Sequence, residues 1–174
     1  MAVPGLGIVY ARREAMNELR AAAMGDGYYL DLVGEHDKQQ KELAPRFGQP
    51  VQLHAAVRGA CIHLRSIGIV AHMKRIRTQL EDITAHLEGL GVEGLLAPAH
   101  RGWVAGNFIL PPGLVYSDFT RLMAAEGFYV LYGAIEDPRQ FQVCTMGHLT
   151  AADVDGVKTA FSRVVVGARR RAVA

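Results

Sequence analysis

Cysteine and tryptophan are scarce in this chain. Its 174 residues hold two cysteines, Cys61 and Cys144, and a single tryptophan. Two thiols placed so far apart make neither a zinc-ligand spacing nor a disulfide framework, which points to a reducing compartment, the cytoplasm. An excess of charge of one sign is lacking too. Nineteen Lys and Arg face seventeen Asp and Glu, for a formal charge of +2. That balance argues against a nucleic-acid partner or an anionic membrane surface. The one basic run, Arg169-Arg170-Arg171, reads as a solvated end. No apolar run approaches the roughly 18 residues that span a bilayer. The opening "MAVPGLGIV" has no basic leading region, so it is not read as a signal peptide. Its two glycines precede the apolar run, whereas a dinucleotide-binding turn needs three glycines leading from a strand into a helix. There is no phosphate loop, no GxSxG, no internal repeat and no low-complexity stretch.

Half of the residues are apolar and 21% are charged, the balance of a soluble globular domain, or of one domain with part of another. The apolar opening, residues 3–11, is predicted as a strand of the interior type, with an exposed edge that invites pairing. "REAMNELRAAA" is predicted as a short helix stopped by Gly25 and Gly27. "YYLDLV" is read as a short strand or extended segment. Residues 34–46 lack an apolar face and are read as an exposed connection with one helical turn.

Pro50 opens a predicted helix through "VQLHAAVRGACIHLRSIG", whose Leu53, Val57, Ala60, Cys61 and Leu64 recur at the helical period. Gly68 breaks it. A longer helix follows with the stripe Val70, Met73, Ile76, Leu80, Ile83 and Leu87, ended by Gly89 and Gly91. Beyond it come a strand ("GWVAGNFIL"), a helix with Leu114, Phe119, Leu122 and Met123 inward and Gly127 as its stop, a strand ("FYVLYG") and a strand ("QFQVCTMG"). A closing helix has Thr150 and Asp153 at capping-box spacing. This order predicts a small α/β sandwich with helices on one face of a mixed sheet. Boundaries are expected at 1–49 (part of a larger domain and a connection), 50–67 (a linking helix) and 68–174 (the small C-terminal domain).

The seven histidines do not assemble a predicted metal site. His54, His63 and His72 are nine apart, which turns each to the opposite helix face, and His72 and His86 are too distant along the axis to share one ion. His148 follows a glycine at a strand end, a position where loops carry function. Cys144, inside an apolar strand, reads as a buried structural thiol.

Local chemistry goes no further, but the order of several segments does. "VPGLGIVYAR", "YYLDLV", "FGQPVQLHAAVRGA", "GIVAHMKRIRTQLEDITAHLEGLG", "VYSDFTRLMAAEGFYVLYG" and "QFQVCTMGHLTAADV" together resemble the C-terminal half of class V pyridoxal-phosphate aminotransferases, in family order across nearly the whole chain. The resemblance implies the C-terminal part of the aspartate-aminotransferase-like α/β fold: the small sandwich domain plus a remnant of the large domain. It implies pyridoxal phosphate as the cofactor of the complete enzyme, not expected to be bound by this chain alone, and as partner either a second copy in a homodimer or a complementary chain carrying the lysine-bearing half. It also implies that the Schiff-base lysine, which makes the cofactor an electron sink, falls before Met1. No catalytic residue is therefore expected within these 174.

Three positions depart from the family pattern. The family's Phe-Thr-x-Pro threonine reaches the cofactor phosphate of the neighbouring subunit; here the stretch is Phe47-Gly48-Gln49-Pro50, which leaves the Gly48 backbone N–H and the nearby Arg46 charge as the cofactor-facing candidates. The family's substrate-gripping arginine corresponds to Gln142, in Phe141-Gln142-Val143-Cys144. A family Tyr-Pro-Gly-Lys turn corresponds to Leu131-Tyr132-Gly133-Ala134. The expectation is a truncated or split aminotransferase, inactive alone and completed by a lysine-bearing chain. The alternatives are a non-catalytic module of the same descent that stabilises a dimer or another partner, and a stand-alone α/β domain that binds a ligand.

Overall fold

In a computed structural model, residues 5–22, 27–132 and 137–173 are described, with side chains through Arg169. Two units divide the chain, Met1–His63 and Leu64–Ala174.

The first unit holds α1 (Arg13–Ala21), α2 (Leu32–Glu42) and most of α3 (Val51–Ile67). The expected opening strand is not formed among its described residues, 5–11. Residues 5–12 take no regular structure, and Ile8, Val9 and Tyr10 are 59, 62 and 93% exposed. A strand exists only through hydrogen bonds to a neighbour, and no backbone hydrogen bond among the described residues reaches residues 6–11. "YYLDLV" departs as well: Tyr28–Leu30 form a turn, and Leu32 and Val33 already begin α2. The polar stretch after it is therefore three helical turns, not one. Asp31 caps α2 by accepting from the Gly34 N–H at 2.9 Å, and Glu35 and Lys41 suit its two ends. Leu43 closes it in the left-handed region at φ 52°.

Gly68, at φ 82°, separates α3 from α4 (Ile69–Gly89). It is the interruption expected there, because a residue with a Cβ is strained at that φ. Of the α4 stripe, Ile76, Leu80, Ile83 and Leu87 are buried, while Val70 is exposed.

The second unit is built on one sheet: β1 (Glu93–Gly94), β2 (Ala105–Ile109), β3 (Leu131–Tyr132) and β4 (Gln140–Cys144), in the order β1-β2-β4-β3. A short 3-10 turn, Pro98–His100, lies between β1 and β2. All three described pairings are antiparallel, which corrects the expected mixed sheet. The physical reason is insertion. The crossover through α5 (Tyr116–Ala125) joins β2 to β3, two strands of like direction, and β4 enters between them and pairs with both.

Strand alternation points Phe108, Phe141 and Val143 to one face. There they meet Ile83 and Leu87 of α4, Phe119 and Met123 of α5, and Phe161 and Val165 of α6 (Ala151–Val173). Four phenylalanine rings fill the centre, with Phe141 4.6 Å from Phe119, 5.5 Å from Phe108 and 6.2 Å from Phe161. Gly106 admits this packing, since a Cβ there would lie 2.9 Å from the Phe108 ring. The capping box of α6 forms as expected: the Thr150 N–H and hydroxyl both donate to Asp153 Oδ2 at 2.7 Å, and the Asp153 N–H donates to Thr150 Oγ1 at 3.2 Å.

Candidate functional site

Each unit carries one of the positions singled out by sequence. In the first, the extended segment 5–11, the start of α1, the 28–30 turn, α2 and the stretch Phe47–Pro50 surround an open depression of about 1330 Å³. Gly48 lines it beside Gln49, Tyr29 and His54. A Cβ on Gly48 would meet nothing within 4 Å, so steric room is not why a hydroxyl residue is absent there. His54 Nε2 lies 3.2 Å from Gln49 Oε1.

Arg46 is held behind this wall. Its Nη1 donates to Asp31 Oδ2 at 2.7 Å, and its backbone N–H donates to Glu35 Oε2 at 3.0 Å. Its guanidinium stacks 5.4 Å from the Phe47 ring and 5.7 Å from Tyr28, while Phe47 and Tyr29 stack at 4.8 Å. The Gly34 N–H and the Arg46 guanidinium hold the Asp31 carboxyl below its ordinary 3.8. Arg46 therefore ties the 44–47 loop to the N-terminus of α2. Its charge is already paired, and it is not among the residues lining the depression. Sequence reading missed Asp31 and the Tyr28–Tyr29–Phe47 cluster; the aspartate just before an Asp31-x-x-Gly34 start was a usable cap signal.

In the second unit Gln142 sits at the middle of β4, half-buried on the sheet face opposite the phenylalanine core. Its register partner is Asn107, and Gln142 Nε2 donates to Asn107 Oδ1 at 3.2 Å. Leu131 of β3 flanks the pair on its other side and is 54% exposed. Asn107 was missed, though the two-residue alternation of β2 and β4 puts both amides on one face. Cys144 shares that face and is half-buried, not fully buried as expected, because α4, α5 and α6 pack on the other side. Gly133 and Ala134, of the divergent family turn, lie outside the described residues.

The histidines serve local contacts. His86 Nε2 lies 2.9 Å from both the Lys158 carbonyl and Ser162 Oγ, tying α4 to α6, and His72 Nδ1 lies 3.3 Å from Arg75. Among the described residues no three His, Cys, Asp or Glu side chains gather as a metal site. No helix among them is long and apolar enough to cross a membrane.

Comparison with solved structures gives the class. The fold matches an alanine–glyoxylate aminotransferase from Nostoc sp. over 75% of this chain and 36% of that one, with a TM-score of 0.66 at 21% identity. It matches an aspartate aminotransferase from Thermus thermophilus over 82% and 40%, with a TM-score of 0.62 at 23% identity. The fold is thus that of part of an aspartate-aminotransferase-like protein, as the segment order led one to expect.

Sequence similarity narrows the class. The chain is 28% identical over 168 residues to a 2-aminoethylphosphonate–pyruvate transaminase of Pseudomonas fluorescens, covering 94% of this chain and 44% of that protein. It is 28% identical over 156 residues to the transaminase of the same name from Syntrophobacter fumaroxidans, covering 87% and 42%. The resemblance to class V aminotransferases is borne out, and the chain spans less than half the length of these curated relatives. No protein-family model matches the chain.

Proposed function

We propose that this chain is part of a class V aminotransferase of the 2-aminoethylphosphonate–pyruvate type, and that it works only together with polypeptide that supplies a Schiff-base lysine. The observation carrying this reading is the similarity that runs along 94% of the chain but covers 44% of the relative. Transamination on pyridoxal phosphate needs a lysine amine that faces the cofactor and can lose its proton. The four lysines here do not fit that need. Lys38 pairs with Glu42 at 3.0 Å. Lys158 is bonded to Asp82 at 2.7 Å and Asp155 at 3.1 Å, and these carboxylates hold its ammonium above its ordinary 10.5. Lys41 and Lys74 are exposed on α2 and α4, and none of the four lines the depression. No step of transamination is assigned to this chain alone.

Gln142 limits substrate recognition in the same direction. A neutral amide cannot form the bidentate charged pair that arginine makes with a carboxylate or phosphonate. Losing such a pair costs on the order of 2–5 kcal/mol of binding. Asn107 Oδ1 already accepts one of the two Gln142 amide N–H groups.

The test is pyridoxal phosphate added to the purified chain, then borohydride reduction and peptide mass spectrometry. The expected result is no stoichiometric label on any one lysine; full labelling of a single lysine overturns the reading. A second reading is a non-catalytic module that stabilises a homodimer or binds a complementary chain. It is favoured by the exposed Ile8, Val9, Tyr10, Tyr28, Tyr29 and Leu30. Sedimentation at high concentration separates the readings, since a lone monomer counts against self-association.

A further inference from the structure

We infer that Asn107 and Gln142 together form a subsite for a neutral head group of the carboxamide type, and not for a carboxylate or phosphonate. This rests on the proposed function, which sets Gln142 against the substrate, and it names the class of substrate that the site would take. Three features of the second unit support it.

The first is the pairing of the two amides. Register puts Asn107 of β2 opposite Gln142 of β4, and facing residues of antiparallel strands have their side chains within reach. Gln142 Nε2 donates to Asn107 Oδ1 at 3.2 Å. That bond sets which end of each amide meets its neighbour. It leaves Gln142 Oε1, an acceptor, and Asn107 Nδ2, a donor, without a hydrogen bond among the described residues. A carboxamide carries both an N–H and a C=O, and so answers both. An ionised carboxylate or phosphonate brings acceptors alone, and would set lone pairs against Gln142 Oε1.

The second is charge. Strand alternation adds Ala105 and Ile109 of β2, Leu131 of β3 and Cys144 of β4 to the same face, all uncharged. The four strands hold a single charged residue, Glu93 of β1, and it is negative. Register sets it opposite Ile109, on this face. An anion placed here gives up hydration and meets no cation on the strands in return.

The third is burial. Asn107 and Gln142 are both half-buried, with the helices packed on the opposite face of the sheet. Half burial keeps the amides within reach of a small molecule and thins the water that competes for them. A site made of hydrogen-bonding groups discriminates against a ligand that leaves those groups unpaired.

The experiment titrates the full 174-residue chain, isotope-labelled, and follows the side-chain amide signals of Asn107 and Gln142 by nuclear magnetic resonance. The probes are β-alaninamide, β-alanine and 2-aminoethylphosphonate, which share an aminoethyl stem and differ in the head group. The expected result is that β-alaninamide shifts both sets of signals at a half-saturation about tenfold or more below that of either anion. Asn107→Leu should abolish the shift at Gln142, and Gln142→Arg should reverse the order in favour of the phosphonate. An equal or stronger response to the anions, or a Gln142 response unchanged in Asn107→Leu, overturns the neutral subsite and leaves the aminotransferase reading standing. No response to any of the three probes overturns the subsite as well. The lysine labelling described above tests that reading separately, since one fully labelled lysine overturns it whatever the two amides do. If the backbone spectrum shows Asn107→Leu unfolded, the wild-type titrations decide.

Discussion

Phe141→Ala would remove the ring on which the second unit closes. Phe141 is fully buried on β4, the strand that enters between β2 and β3. Its ring meets those of Phe108, Phe119 and Phe161, so sheet, α5 and α6 all lean on it. Truncating a buried phenylalanine costs about 3–5 kcal/mol, since the transferred area is lost and the surrounding wall collapses only in part. The upper half of that range is expected here, because the facing rings are stiff and belong to three different elements. With a urea dependence of about 2 kcal/mol per molar for a domain of this size, the unfolding midpoint falls by about 2–2.5 M. Trp103, the only tryptophan, lies in the same unit under the Arg77 guanidinium at 5.0 Å. Its fluorescence therefore reports on this unit and not on the first. Phe141→Leu, which keeps most of the volume, should shift the midpoint by well under 1 M, at a cost of about 1–1.5 kcal/mol. A Phe141→Ala shift below about 0.5 M, or one equal to that of Phe141→Leu, refutes the four-ring core as the support of the sheet.

Gly106→Ala should lower the same midpoint by the equivalent of about 1–3 kcal/mol, because the added Cβ meets the Phe108 ring at 2.9 Å; an unchanged urea curve refutes the close approach. Thr150→Val removes the hydroxyl of the α6 capping box and should cost about 1 kcal/mol with the urea slope unchanged, and a change within error means the cap does not hold that helix end. Asp31 has a folded-state pKa below its unfolded 3.8, so its contribution is fully present above pH 3.8 and is lost as pH falls through the folded value. Asp31→Asn should therefore speed hydrogen exchange in α2 at neutral pH and flatten its further rise below pH 3.8; an acid response identical to wild type refutes the Asp31–Arg46 tie.

The second unit was legible because its signals agree. The α4 stripe, Gly91, Gly127 and the Thr150–Asp153 box each fix an element locally, and the burial of Ile76, Leu80, Ile83, Leu87, Phe119 and Met123 confirms the face that periodicity chose. Strand order was not legible, because the entry of β4 between β2 and β3 depends on long-range pairing that no local pattern encodes. Failures in the first unit have a different origin. α2 buries no side chain, so the apolar period that reveals helices is missing and only its capping residues speak. Residues 8–10 carry strong strand chemistry but find no partner among the described residues, and strand propensity alone does not make a strand. At the sites, Gln142 could be located from the resemblance, but Asn107 required the register. Arg46 looked free in sequence, and its pairing with Asp31 depends on a 15-residue loop closure.

The contrast between the units bears on what this chain retains. The second has a core of four phenylalanines and the inward apolar positions of three helices. Among the described residues of the first, only Met16 is a buried apolar side chain, while Ile8, Val9, Tyr10, Tyr28, Tyr29, Leu30 and Leu43 are exposed. A polypeptide with no demand on that surface would be expected to replace those apolar residues with polar ones, as they cost solubility and contribute no burial. The polar positions that the resemblance places toward cofactor and substrate show the opposite pattern. On that resemblance a glycine stands in place of threonine at Gly48, where a Cβ would meet nothing within 4 Å, and a neutral amide in place of arginine at Gln142. Exposed apolar surface with little core, beside changed polar groups at Gly48 and Gln142, is what the proposed function expects of a chain that works together with further polypeptide.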